Sequence, residues 1–222
     1  MTVLLVIVTF VVFIAIDMLL NRKRSHVLPL VTAGVSQSVS ATEEMLSGFH
    51  VPNTLRYHPG HTWLMRERKN VHRVGADEFA AILAGPVDRI ELPKAGHWVR
   101  QGQKVVSLYR GTEKIELVSP VEGEVVEVNA ELASNPEQLR NDPYGSGWFM
   151  TVFAPDEEGP TRNLLPRNLL STWMKDAAES FYGLQPQLAG ATAADGGRPS
   201  KEATANLTPE VWKKAAKTLL LS

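Results

Sequence analysis

Cysteine is absent from all 222 residues. That excludes disulfides, thiolate metal sites and a cysteine nucleophile, and it leaves the redox compartment open. A charge excess is absent too. The 23 basic and 24 acidic side chains nearly cancel, so nothing gives the chain a broad nucleic-acid footprint. Histidine is scarce, with six residues scattered along the chain. His58 and His61, in YHPGHTW, have a spacing that could suit metal ligands. No further ligand accompanies them, so a structural role is the plainer expectation and no metal is expected. The RERK cluster at 66–69 reads as a solvated hairpin, not a nucleic-acid patch. A phosphate loop, a nucleophile elbow and a convincing acid–base pair are all missing, so no catalytic residue is expected.

What is present is strong local contrast. Residues 2–20, TVLLVIVTFVVFIAIDMLL, are apolar except for Asp17. A helix needs about 20 such residues to cross a bilayer core. Arg22, Lys23 and Arg24 follow at once. Basic residues stay on the cytoplasmic side, so the sequence predicts a single-pass anchor with the N-terminus out and the main domain cytoplasmic. A cleaved signal peptide would carry its charge before the apolar run and a small-residue cleavage site after it, and neither is seen. The expected location is therefore the cytoplasmic (inner) membrane.

Beyond the anchor and basic flank at 1–25, residues 26–50 read as a loose connector in which TEEMLSGF could form a helical turn. A β-rich domain is expected over 51–157. Alternating apolar stretches such as VDRIELP (87–93), QKVVSLY (103–109), KIELVSPV (114–121) and GEVVEVN (123–129) are separated by turn residues. ADEFAAIL (76–83) has helical spacing, with Phe79, Ile82 and Leu83 on one face. A helical extension is expected over 158–184, where Leu169, Leu170, Trp173, Met174 and Ala177 share a side. Residues 185–206, rich in Ala, Gly, Thr and Pro, read as a flexible linker. The last segment, 207–222, reads as an amphipathic helix with Thr208 as N-cap and Pro209 in its first turn. Its apolar face includes Val211, Trp212 and Leu219, which are expected to bind a partner. A tethered helix of this kind docks on its own domain, a partner or a membrane surface, and the sequence does not choose.

The longest motif is SPVEGEVVEVNAELASNPEQLRNDPYGSGWF at 119–149. With HTW (61–63), VGADEFA (74–80) and IELPKAGHWVRQG (90–102), it resembles the H-protein of the glycine cleavage system. The resemblance runs from Tyr57 to Asp156. It implies a mainly β fold, the lipoyl/biotinyl-type β-sandwich or barrel-sandwich hybrid, to which the residues read above add short helices, an N-terminal transmembrane helix and C-terminal helices. It also implies a hairpin whose tip carries lipoate on a lysine. The prosthetic group, not the protein, supplies the reactive atoms.

In this sequence the tip reads LYRGTEKIELVSP. Counted back from Ser119-Pro120 with the family's spacing, the lipoyl position falls on Thr112, and the family's acidic residue three positions earlier falls on Tyr109. A threonine hydroxyl cannot form the lipoyl amide. Lys114, two residues further on, lies on the same strand face and is the alternative attachment point. Two functions are thus open. One is a non-catalytic, membrane-anchored scaffold or accessory subunit of a larger membrane complex, without cofactor, in contact with protein subunits and with the membrane through residues 2–20. The other is a membrane-tethered lipoyl carrier of a glycine-cleavage-like or other lipoate-linked system, using Lys114.

Overall fold

The computed structural model describes residues 43–156, 159–183, 199–201, 203–205 and 207–220. The expected anchor, its basic flank, the connector as far as residue 42, residue 184 at the end of the helical extension and the linker over 185–198 lie outside the described residues. Among the described residues, no helix is long and apolar enough to cross a membrane.

The β structure begins earlier than the sequence suggests. Strands β1 (Glu43–Leu46) and β2 (Phe49–Pro52) form an antiparallel hairpin across the end of the expected connector, where a helical turn was expected. The turn residues Ser47 and Gly48 both take positive φ, as a type I′ hairpin turn requires and a helix forbids. The hairpin is held by burial of Leu46, Phe49 and Val51. Phe49 meets Phe79 edge-on at 5.1 Å.

Nine further strands follow: β3 (Arg56–His58), β4 (Thr62–Arg68), β5 (Val71–Ala76), β6 (Arg89–Glu91), β7 (Trp98–Val99), β8 (Lys104–Arg110), β9 (Glu113–Val118), β10 (Gly123–Val128) and β11 (Met150–Phe153). They build a six-stranded sheet ordered β3-β4-β5-β11-β10-β7 and a three-stranded sheet ordered β6-β8-β9. All of these pairings are antiparallel. The mainly β class expected from the alternating stretches is what forms. Val106 and Leu108 of β8, with Ile115 and Leu117 of β9, turn into one continuous core. Side chains at alternate positions of these two strands, including Ser107 and Glu116, sit on the opposite face. Each fully buried aliphatic side chain contributes roughly 1.5–3 kcal/mol, so this alternation also fixes the hairpin register.

Helix α1 (Glu78–Ala84) matches the helical stretch expected at 76–83. Asp77 caps it, its Oδ1 accepting from the Ala80 amide at 2.8 Å. All seven of its residues are buried, so it is an inner element and not a surface helix with one apolar face. Two short helices, α2 (Ala130–Ser134) and α3 (Gln138–Asn141), lead into the Asp142–Gly145 turn. The Asp142 carboxylate accepts from the amides of Gly145 at 3.0 Å and Ser146 at 2.7 Å. Just beyond that turn the chain enters β11.

Helix α4 (Leu170–Gly183) buries Leu170, Met174, Ala177 and Phe181, as helical spacing predicts. Leu169 departs from that expectation. It belongs to a preceding 3₁₀ turn, Arg167–Leu169, and is exposed. Helix α5 (Pro209–Leu219) forms within the expected segment, with Pro209 at its start. Thr208 holds the N-cap position, but its side chain makes no capping bond.

The apolar face of α5 lies against the chain's own domain, where it meets α1, α4 and β9. Trp212 is fully buried, and its Nε1 donates to the carbonyls of Leu83 and Ala84, each at 3.1 Å. Of the three docking places open to this helix, the structure shows Trp212 seated in the chain's own domain. The last carbonyls of a helix lack intrahelical donors, and the indole of Trp212 supplies one to α1. Val211 and Leu219 pack against the same core and are half-buried. Part of the expected linker is also packed. Thr204 is buried, and its hydroxyl donates to the Ile82 carbonyl at 2.8 Å.

Candidate functional site at the β8–β9 turn

The hairpin register places the tip without ambiguity. Arg110 pairs with Glu113, leaving Gly111 and Thr112 as a two-residue turn. Gly111 has φ of 58°, and Thr112 is not among the positive-φ residues. Those signs belong to a type II′ turn, which takes glycine at its first central position. The Gly111 amide donates to Asp88 Oδ2 at 2.6 Å. Thr112 is exposed at the outermost point of the hairpin.

Lys114 lies one ladder pair behind the turn, opposite Tyr109. Its ammonium donates to Glu116 Oε1 at 2.9 Å. That hydrogen bond is the main reason its pKa is raised, with the nearby Glu116, Tyr109 and Glu91 charges reinforcing it. Tyr109, on the adjacent strand, donates its hydroxyl to Glu91 Oε2 at 2.5 Å, and the Arg89 guanidinium lies 3.8 Å from its ring centroid. The hydrogen bond to Glu91 is the largest cause raising the Tyr109 pKa. The outer face here is therefore a ladder of paired polar groups: Arg89, Tyr109 and Lys114 in one row, Glu91, Ser107 and Glu116 in the next.

The two charged residues at the base of the turn are engaged by the C-terminal segment, which sequence reasoning missed. Arg110 donates from Nη1 to the Thr204 carbonyl at 2.8 Å and from Nη2 to the Ala205 carbonyl. Glu113 pairs with Lys213 at 2.5 Å. No local signal links positions about ninety residues or more apart in sequence. Thus Thr112, Lys114 and the helix carrying Trp212 come together at one end of the three-stranded sheet.

His58 and His61 are both buried. His61 Nδ1 lies 2.8 Å from Asp77 Oδ2 in a buried pair. Its ring is stacked between Phe79 at 4.2 Å and Trp173 at 4.3 Å. His58 Nδ1 accepts from the Gly60 amide at 3.0 Å, and burial lowers the His58 pKa. Among the described residues, no group of three or more His, Cys, Asp or Glu could hold a metal. A second buried polar cluster ties the DPYG turn to the first hairpin. Tyr144 donates to the His50 carbonyl at 2.6 Å and accepts from the Glu78 amide at 3.0 Å. Burial, reinforced by the Asp77 charge, pushes the Tyr144 phenol well up.

Comparison with known proteins identifies the family. The family model described as "Glycine cleavage H-protein" matches residues 55–177. The glycine cleavage system H protein of Cronobacter sakazakii is 35% identical over 108 residues, covering 49% of this chain and 84% of that protein. That of Alteromonas mediterranea is 36% identical over 107 residues, covering 48% and 83%. A crystal structure of a glycine cleavage system H protein from Mycobacterium marinum has a TM-score of 0.48 at 24% identity, covering 57% of this chain and 98% of that one. The family match spans β3 to the first half of α4, so both the β1–β2 hairpin and the C-terminal segment fall outside it. This chain belongs to the glycine cleavage H-protein family.

Proposed function

We propose that this chain is a non-catalytic, membrane-anchored scaffold or accessory subunit built on the H-protein fold, with its lipoyl position occupied by Thr112. The observation that carries the reading is the turn itself. The outermost side chain of the β8–β9 hairpin is a hydroxyl, which has no nitrogen for the lipoyl amide. The acidic residue expected beside the attachment point is also replaced, by Tyr109, whose hydroxyl is bound to Glu91. Without the prosthetic group the domain has no reactive centre, so its role is to hold protein subunits together at a membrane. The anchor is residues 2–20, followed by Arg22, Lys23 and Arg24, which puts the domain on the cytoplasmic face.

The second reading is a membrane-tethered lipoyl carrier that uses Lys114. Membership in a family of lipoyl carriers and the exposure of Lys114 near the turn favour it. The ion pair with Glu116 and the position behind the turn oppose it. Intact mass of the protein purified in mild detergent at native expression level separates the two. The scaffold has no lipoyl increment and keeps co-purifying subunits, whereas the carrier has one lipoyl group on Lys114. The anchor is tested by extraction: detergent is required, and release by high salt alone contradicts it.

A further inference from the structure

The C-terminal segment grips both members of the last ladder pair of the β8–β9 hairpin. From the β8 side, the Arg110 guanidinium reaches the carbonyls of Thr204 and Ala205 and lies 5.9 Å from the Trp212 ring centroid. From the β9 side, Glu113 holds Lys213 at 2.5 Å. The Arg110 contacts are charge-assisted hydrogen bonds, which are among the stronger polar contacts, and Glu113–Lys213 is an ion pair. The same segment is seated on the end of α1. Thr204 and Trp212 donate to the carbonyls of Ile82, Leu83 and Ala84 in its last turn. No basic side chain occupies that last turn, so these donors come from the other end of the chain.

The seat is shaped for this contact. Gly85 closes α1 at φ of 65°, and a Cβ there would collide with the Thr204 hydroxyl. Glycine is what lets the segment approach so closely. The segment also lies outside the part of the chain that matches the family. The domain core is therefore shared with relatives, while the clamp is an addition.

We propose that the described residues between Pro199 and Leu220 act as a strap that closes over the base of the β8–β9 turn, so that mobility of the tip is set by whether α5 is seated. The strap occupies Arg110 and Glu113, the charged residues flanking Thr112. A partner that reads those charges must first lift it, and a partner that binds the strap alters the tip. The inference holds whether or not Thr112 replaces a lipoyl lysine.

Hydrogen exchange of the full-length protein, followed by mass spectrometry, tests it in Arg110→Ala, in Lys213→Glu and in the double variant Lys213→Glu with Glu113→Lys. The two single variants should speed exchange about tenfold or more both at 108–114 and at 203–212, for a loss equal to about 1.4 kcal/mol of local stability. Strands β10 and β11 should keep their protection. The double variant, which restores an opposite-charge pair, should return both segments toward wild-type rates. Acceleration of neither segment, of one without the other, or of β10 and β11 alongside them overturns the strap, as does a double variant no slower than Lys213→Glu.

Discussion

Replacing Trp212 by phenylalanine keeps an aromatic ring in a fully buried slot and removes one N–H donor. That donor lies 3.1 Å from two carbonyls, those of Leu83 and Ala84, at the end of α1. A buried acceptor deprived of its partner costs about 1–3 kcal/mol. For a domain of this size, each kcal/mol lowers the melting temperature by roughly 2–4 °C. Trp212→Phe should therefore melt lower by roughly 2–12 °C, with a loss near the middle of that range. Trp212→Ala removes the ring as well, a change that costs about 3–5 kcal/mol in a rigid core. Here the loss is capped, because the strap can unseat while the sheets stay folded. The alanine variant should show a low-temperature step, visible as exchange over 203–216 before the main transition. Calorimetry on the full chain, with hydrogen exchange alongside, reads both effects. A Trp212→Phe protein melting within about 1 °C of wild type, with unchanged exchange over 203–216, refutes the reasoning.

Three further outcomes follow from the packing. Gly75→Ala places a Cβ against the indole of Trp63 and should cost about 1–3 kcal/mol by overpacking; denaturant melts should show part of this recovered when Trp63→Phe is added. Asp77→Ala removes both the α1 cap and the partner of His61. It should cost at least about 1 kcal/mol for the cap alone, while Asp77→Asn, which keeps a capping oxygen, should lose less in the same melts. His58 and His72 have pKa values lowered below 6.5 by burial, with the Arg66 charge adding to the effect at His72. Between those lowered values and 6.5 the unfolded chain binds more protons than the folded one, so stability rises with pH across that window and levels off above it. Chemical melts from pH 5 to 8 should show the midpoint falling below about pH 6.5, with the fall reduced in His58→Gln and His72→Gln.

The elements whose pattern was strong were legible. In β8 and β9 the alternation of Val106, Leu108, Ile115 and Leu117 marked the strands, and Gly111 marked the turn, while the face buried and the register are seen in the structure. The helical spacing of Phe79, Ile82 and Leu83 marked α1, and Thr208-Pro209 marked α5. The β1–β2 hairpin was not legible, because Glu43, Glu44 and Met45 are good helix formers and only the Ser47-Gly48 turn and the burial of Phe49 override that preference. The seat of α5 was not legible for a different reason. Amphipathic spacing says that a face is buried and not what buries it. Acidic substitution of Trp212, reasonable for a partner-binding helix, would instead place a charge inside this domain. Thr204 sits in a low-complexity stretch whose composition gives no hint of a hydroxyl bonded to a carbonyl 122 residues away.

The central claim is that the family's prosthetic position is Thr112 and that this chain carries no lipoate. Intact and peptide mass spectrometry test it on wild type, Thr112→Lys and Thr112→Lys with Tyr109→Glu, each produced with ample lipoate and attaching enzyme. The substitution at the exposed turn should change stability by no more than about 0.5 kcal/mol. Wild type should gain no lipoyl mass, and one or both variants should gain it at residue 112 alone. Lipoylation of wild type at Lys114 would contradict the account and make the protein a membrane-tethered carrier.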